Sequence, residues 1–448
     1  MVYIISILIW FLTIIQGGFF VNSYGIAAGV LTGSLIVTCI KNPKEFVTKI
    51  KEHGNPIVTA GFFVVFVSFV LSGVINSLDQ EFFCRFIYFI FAWLLYISVG
   101  FVKMNERKML YQQIRYLLYV QVVFCVLDYL GIIVFATMRN ARFMGTMQYA
   151  NATAIFMAVG IIFQRVFENG EEKEKEWKYL KLLSLVVLCT TFSAGGMLCY
   201  MAGCLLYGML GEKENRVKKV FFSLVEFGVS FLFALSWYVS AFRLENKGIT
   251  VVMIFFTMIC SCFWNKIENI YMTGLGGAVE NGGRTSKEKK TGKSRKWTGY
   301  FCGIGVLVAV VGCFIYFFGS RVGGTGLERL EQMKDALLVL LQHPIAGLGV
   351  DGWEKYIASR EDILYQASYV HCSYLHLGVE LGIFAIIGLV LILIGGFFRA
   401  KRNGTLQAVG ITANAMLCLH FLVDFTGFFA GVLVLCMIAG NEKRSVSV

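Results

Sequence analysis

Apolar runs of roughly 15–25 residues, separated by short polar segments, recur from one end of this chain to the other. They begin near Tyr3, Tyr24, Ile57, Phe82, Ile114, Ala150, Tyr179, Gly195, Lys219, Gly248, Gly299, Leu375, Leu406 and Phe425. Each can cross a hydrocarbon core as an α-helix, which predicts about fourteen spans. The seventh and eighth runs are short and can equally form a broken or re-entrant pair, so the count lies between about twelve and fourteen. The runs are continuous and do not alternate, which argues against a β-barrel. The expected fold is an all-α, polytopic transmembrane helical bundle.

Two stretches interrupt this rhythm. Gly274–Lys296 is rich in Gly, Lys and Ser and reads as a linker without a catalytic role. Gly319–Tyr374 is a long polar loop. The organisation follows: an N-terminal transmembrane bundle over 1–264, a basic linker over 265–298 and one helix over 299–318. A large extracytoplasmic loop over 319–374 and C-terminal transmembrane helices over 375–448 complete it. Inside the loop, Leu327, Leu330, Met333, Leu337, Leu340 and Leu341 recur at helical spacing, with Glu328, Glu331, Gln332 and Asp335 on the other side. This predicts an amphipathic helix on the membrane surface, with Lys334 placed to snorkel. His343-Pro344-Ile-Ala-Gly347-Leu-Gly349 then ends the helix in a tight turn.

Composition agrees. Hydrophobic residues make up 57% of the chain and charged residues only 15%, against about 25% charged in soluble domains. The mean hydropathy is +0.69. Net charge is +12, which in a soluble protein would raise nucleic acid as a partner. Here most Lys and Arg fall in alternate short loops, around Lys41–Lys51, Lys103–Arg115, Arg165–Lys181, Lys213–Lys219, Lys266–Lys296, Arg399–Arg402 and Lys443–Arg444. Topology explains that distribution, and the positive-inside rule puts these loops and both termini in the cytoplasm. The first apolar run lacks a basic leader and a cleavage site, so no cleavable signal is predicted. The 13 cysteines lie mainly in the spans, with no CxxC pair and no metal-ligand spacing, so neither metal nor cofactor is expected.

Orientation gathers the chemistry on the outer face. Arg139, Arg142 and Asn151 precede or open the sixth span. Ser193 lies at the junction of the seventh and eighth. Arg321 and Arg329 lie in the long loop, which His371 closes, with Glu380 further along the same helix. Asp424 sits at the turn between the last two spans. Guanidinium groups at such a boundary suit a phosphate or diphosphate. An imidazole there can take a proton from a hydroxyl at neutral pH. The plainer readings stand beside these. Arg142 and Arg329 can anchor to lipid phosphates. Asp424 can pair with an Arg or with His420. Glu380 can orient a helix partner. His376 and His420 read as packing residues, and His343 as a turn residue.

The motifs Arg142-x-x-Gly145 with Asn151-x-x-Ala154, Arg329-Leu-x-x-x-x-Asp335-Ala336, His343-Pro344-x-x-Gly347-x-Gly349 and His371-x-x-x-Leu375-x-x-x-x-Glu380-x-Gly382, completed by Asp424, occur in series. In these the chain resembles the O-antigen ligase and O-antigen polymerase family of bacterial membrane glycosyltransferases. The resemblance implies a glycan donor carried on polyprenyl diphosphate at the outer face of the cytoplasmic membrane. It implies transfer to a glycan, a lipid-linked sugar or another hydroxyl acceptor, without a metal ion. It also implies a catalytic set of His371, Arg329 and Arg142, and a substrate-binding set of Arg321, Arg139, Ser193, Asn151, Glu380 and Asp424. Membrane lipids are further partners, and chain-length or export proteins of polysaccharide assembly are candidate ones. Two positions depart from the family: Ala194 stands where it has Arg, and Cys372 where it favours Asn. The competing classes are a flippase for polyprenyl-linked oligosaccharides and a noncatalytic assembly protein.

Overall fold

The computed structural model describes residues 1–132, 138–167, 175–210, 216–276, 312, 326–360, 365, 367–398 and 405–440. The linker beyond Gly276, all but Gly312 of the span expected from Gly299, and Arg321 lie outside the described residues. The architecture is a helical bundle, with one two-stranded hairpin among the described residues, β1 (Met138–Arg139) and β2 (Arg142–Phe143). Eight of the described helices are long and apolar enough to cross a membrane, and five shorter apolar helices accompany them. Four helices begin within about three residues of the predicted run starts: α1 (Val2–Ile14), α2 (Val21–Lys41), α4 (Pro56–Ile75) and α5 (Gln80–Gly100), whereas α6 (Met104–Tyr129) begins ten residues before the expected Ile114. A polar helix, α3 (Pro43–His53), joins α2 to α4. Next come α7 (Ala150–Phe163), α8 (Lys175–Thr190), α9 (Ala194–Leu210), α10 (Arg216–Tyr238) and α11 (Lys247–Gly276). The expected short pair forms two separate helices, α8 and α9, joined by a turn at Thr191–Ser193.

α7 is the hub. Every one of its residues is buried, as a helix apolar on all sides must be. It packs against α6, α8, α9 and, from the far end of the chain, α16 (Thr405–Val423) and α17 (Ala430–Gly440). Small residues allow such close approach where lipid offers no hydrophobic drive between helices. A Cβ on Gly196 of α9 would meet Ala154 of α7. At the other end of the bundle Lys181 Nζ lies 2.8 Å from Glu226 Oε2, a partner for an acid buried mid-helix.

Residues 326–342 form α12, followed by α13 (Gly352–Ala358), α14 (Ser373–Leu381) and α15 (Ile383–Phe398). α12, α13 and the strand-like approach to α14 share a small core of Ala336, Val339, Trp353, Ile357, Tyr365, Val370 and Cys372. Trp353 Nε1 donates to Ala367 O at 3.0 Å. α12 is amphipathic, but its faces differ from the spacing-based expectation. Leu327, Leu330, Leu337 and Leu341 are exposed, as a lipid-facing row would be, whereas Leu340 is buried. Gln332, expected on the polar side, is also buried. The reason is tertiary: α12 presses its Gln332–Ala336–Val339–Leu340 side onto α14 and the segment before it.

The His343–Gly349 turn locks this subdomain to the bundle through backbone alone. Leu348 N–H donates to Val379 O (2.8 Å), Gly349 N–H to Glu380 O (3.1 Å) and Ile383 N–H to Pro344 O (2.8 Å). Gly347 (φ +62°) and Gly382 (φ +84°) sit in the left-handed region. A side chain at Gly347 would strike the Val379–Glu380 backbone, and one at Gly382 the Pro344–Ile345 backbone. That double demand, positive φ and backbone contact, accounts for glycine at both places.

Candidate functional site

The bundle end where α7 and α9 begin and α16 finishes collects the polar groups. Asp424 follows α16 directly and is 1% exposed. Its Oδ2 accepts from Asn151 Nδ2 at 2.6 Å and from Tyr149 Oη at 2.9 Å, both at the start of α7. His371 Nδ1 lies 3.6 Å from the same oxygen. Arg329 of α12 brings a guanidinium nitrogen to 3.9 Å from it and donates to Val423 O at 3.3 Å. Four segments far apart in the chain therefore meet on one carboxylate.

Arg142 reaches this group through Asn151. Its Nε donates to Thr191 O and a terminal nitrogen donates to Asn151 Oδ1, each at 2.9 Å. Asn151 thus accepts from a cation with its oxygen and donates to a carboxylate with its nitrogen, which orients its amide. The hairpin that carries Arg142 ends at Gly145, whose φ of +59° turns the chain towards α7.

His371 is held from its backbone. Its N–H donates to Gln332 Oε1 at 2.9 Å, while Gln332 Nε2 donates to Tyr369 O at 2.9 Å. Its ring centre is 5.7 Å from that of Phe425. The side chain is 25% exposed, so the imidazole turns Nδ1 to Asp424 and keeps solvent access. Burial pushes the Asp424 carboxyl up, but His371, His420 and Arg329 together bring it below its ordinary value, so it is ionised at neutral pH.

The remaining expected residues are placed differently. Ser193 is buried, and its hydroxyl accepts from Gly196 N–H at 3.3 Å at the head of α9. Arg139 is exposed, paired in register with Arg142 across the hairpin. Glu380 is fully buried away from Asp424. It faces Arg85 Nε at 3.4 Å and His376 Nε2 at 3.5 Å, and accepts from Asp351 N–H at 3.0 Å. His376 packs its ring on Tyr369 and Phe428, and His420 Nδ1 lies 2.8 Å from Thr426 Oγ1. Three participants escape the motifs. Tyr149 stands two residues before Asn151 at a helix start, a detectable position for a polar ligand of the same group. Gln332 and Arg85 carry no such signal.

Residues 179–390 match the family model described as O-Antigen ligase. The match supports a likeness to the O-antigen ligase family over that part of the chain, set in a multi-pass helical membrane protein. That likeness supports membrane glycosyl transfer of the O-antigen ligase or polymerase type in general. No curated protein matches the chain. Arg329 and His371 lie within the matched residues, whereas Arg142, Tyr149, Asn151 and Asp424 lie outside them. The Asp424 group joins the two.

Proposed function

We propose that the protein moves a glycan from a polyprenyl-diphosphate carrier to a hydroxyl acceptor at the outer face of the cytoplasmic membrane, in surface polysaccharide polymerisation or ligation. The observation that carries this reading is the convergence of His371, Arg329, Asn151 and Tyr149 on the Asp424 carboxylate. With Asp424 ionised and Nδ1 protonated towards it, the outward nitrogen of His371 keeps its lone pair. That nitrogen takes the proton of the acceptor hydroxyl as its oxygen bonds to the anomeric carbon. The bond from that carbon to the diphosphate breaks, and its electron pair leaves with the polyprenyl diphosphate. One displacement inverts the anomeric centre. Arg329, 37% exposed, is free to meet the growing negative charge, where partial exclusion of water strengthens it. Arg142 holds Asn151 and adds positive potential.

The test is transfer by the purified protein from a polyprenyl-diphosphate-linked donor, with the product anomer read by NMR. His371→Ala and Arg329→Ala should abolish product while the protein stays folded. Wild-type output from His371→Ala removes the mechanism. Movement of the donor across vesicles without new glycosidic bonds would favour a flippase. Cysteines at 142 and 371 should both react with impermeant reagents from outside, and labelling on opposite leaflets defeats the sidedness.

A further inference from the structure

The dyad of His371 and Asp424 is assembled from two turns, Tyr369–Ser373 and Asp424–Phe428, and one guanidinium touches both. Arg85 on α5 places Cζ 4.5 Å from the Phe428 ring centre and 5.9 Å from that of Tyr369. Its Nε is 3.4 Å from Glu380 Oε2 and a terminal nitrogen 3.5 Å from Oε1. Glu380 faces His376, whose Nδ1 accepts from Val370 N–H at 3.4 Å, immediately before His371. Tyr369 stacks on Phe425 at 4.8 Å, and Phe425 adjoins both His371 and Asp424. The backbone on either side of the dyad is thus one contact removed from the Arg85–Glu380 pair.

We propose that Arg85 is a positioning residue for glycosyl transfer: paired with Glu380, it holds the two turns so that His371 faces Asp424. The inference rests on the reading given above. It also turns Glu380 from an expected substrate ligand into a structural anchor. Arg85 has only 11% of its side chain exposed and Glu380 none, so neither presents charge to a diphosphate as Arg329 does. An ion pair buried this deeply adds little net stability and is better suited to fixing geometry. A planar fork that meets both carboxylate oxygens and lies on an aromatic face is a task lysine cannot copy.

Arg85→Lys keeps the charge beside Glu380 and loses the fork. A displacement of about 1 Å in a reacting group can cost about a hundredfold in rate. The expected result is therefore a fall in kcat of at least about tenfold, with donor KM within about threefold and the unfolding temperature nearly unchanged. In an Asp424→Asn background the same substitution should cost nothing further, because the dyad it serves is already lost. Independently of activity, the imidazole NMR signal of His371, assigned through its loss in His371→Gln, should shift in Arg85→Lys in the direction that Asp424→Asn shifts it. A raised KM with intact kcat, multiplying losses in the double variant, or an unmoved His371 signal would each overturn the proposal. Should Arg85→Lys fail to fold, Glu380→Gln is read in the same three ways. A wild-type protein that transfers nothing would refute the reading beneath, and the NMR comparison would still decide this one.

Discussion

Replacing Asp424 by Asn tests the centre of the site with almost no change of volume. In the wild-type protein Oδ2 accepts from Tyr149 Oη and Asn151 Nδ2 and faces His371 Nδ1. An asparagine that keeps its oxygen in the place of Oδ2 still accepts from Tyr149 and Asn151 and still faces His371 Nδ1, but it carries no charge. The imidazolium that forms when His371 takes the hydroxyl proton then loses the negative charge that stabilises it. General-base catalysis is worth about 10²–10⁴-fold, and a carboxylate–histidine pair that has lost its negative charge forfeits most of it. The expected fall in kcat is therefore about 10²–10⁴-fold, or about 3–5 kcal/mol in the barrier. Donor KM should stay within about threefold, since Arg329 remains. The assay is initial-rate transfer from a purified lipid-linked donor, with folding checked by thermal unfolding. An Asp424→Asn enzyme within about threefold of wild-type kcat would refute the dyad.

Three further outcomes follow from the same geometry. Tyr149→Phe removes one of the hydrogen bonds to Asp424 and spares the charge, so transfer should fall only about two- to tenfold, matching about 0.5–1.5 kcal/mol; a loss as deep as that of Asp424→Asn would give the phenol its own catalytic part. The Asp424 carboxyl is held below its ordinary pKa, so its stabilisation is present above the unfolded value of 3.8 and is lost as pH falls through the lower folded value. The unfolding temperatures of wild type and Asp424→Asn should therefore differ by a constant amount above pH of about 5 and converge in stronger acid; a gap that already closes between about pH 7 and 5 would contradict the depressed value. Gly347→Ala should cost at least about 1–2 kcal/mol for its left-handed backbone and more for the collision with Val379 and Glu380. Gly25→Ala on α2, with open space around it, should be tolerated, and equal thermal shifts for the two would refute the backbone clamp.

How much of this was legible without coordinates can be judged residue by residue. Most starts of the described spans were readable because lipid and water impose opposite chemistry on a chain every 20 residues or so, and local composition reports that directly; α6, which begins at Met104 and not near Ile114, is an exception. The candidates His371, Arg329, Arg142, Asn151 and Asp424 were readable as polar groups at span ends. Glu380 was readable as a residue worth attention, but not its surroundings. Its partner Arg85 lies 295 positions earlier, and neither residue carries a mark of the other. Gln332 illustrates the same limit at short range. Helical spacing sets it opposite the leucine row, and only the packing of α12 on α14 decides that this side faces inward.

The amino-acid sequence by itself determined a helical membrane bundle, the segregation of cationic residues among its loops and a set of ionisable groups at span ends. Hydrophobic periodicity is a local property, so those features needed no knowledge of neighbours. Tertiary structure alone decided that Asn151 and Asp424, 273 positions apart, share a hydrogen bond, that Arg85 meets Glu380, and that Tyr149 joins the site. Such meetings depend on how each helix is rotated and how closely it approaches the next. That is settled by the summed packing of α7 and its neighbours, which no single stretch of residues encodes.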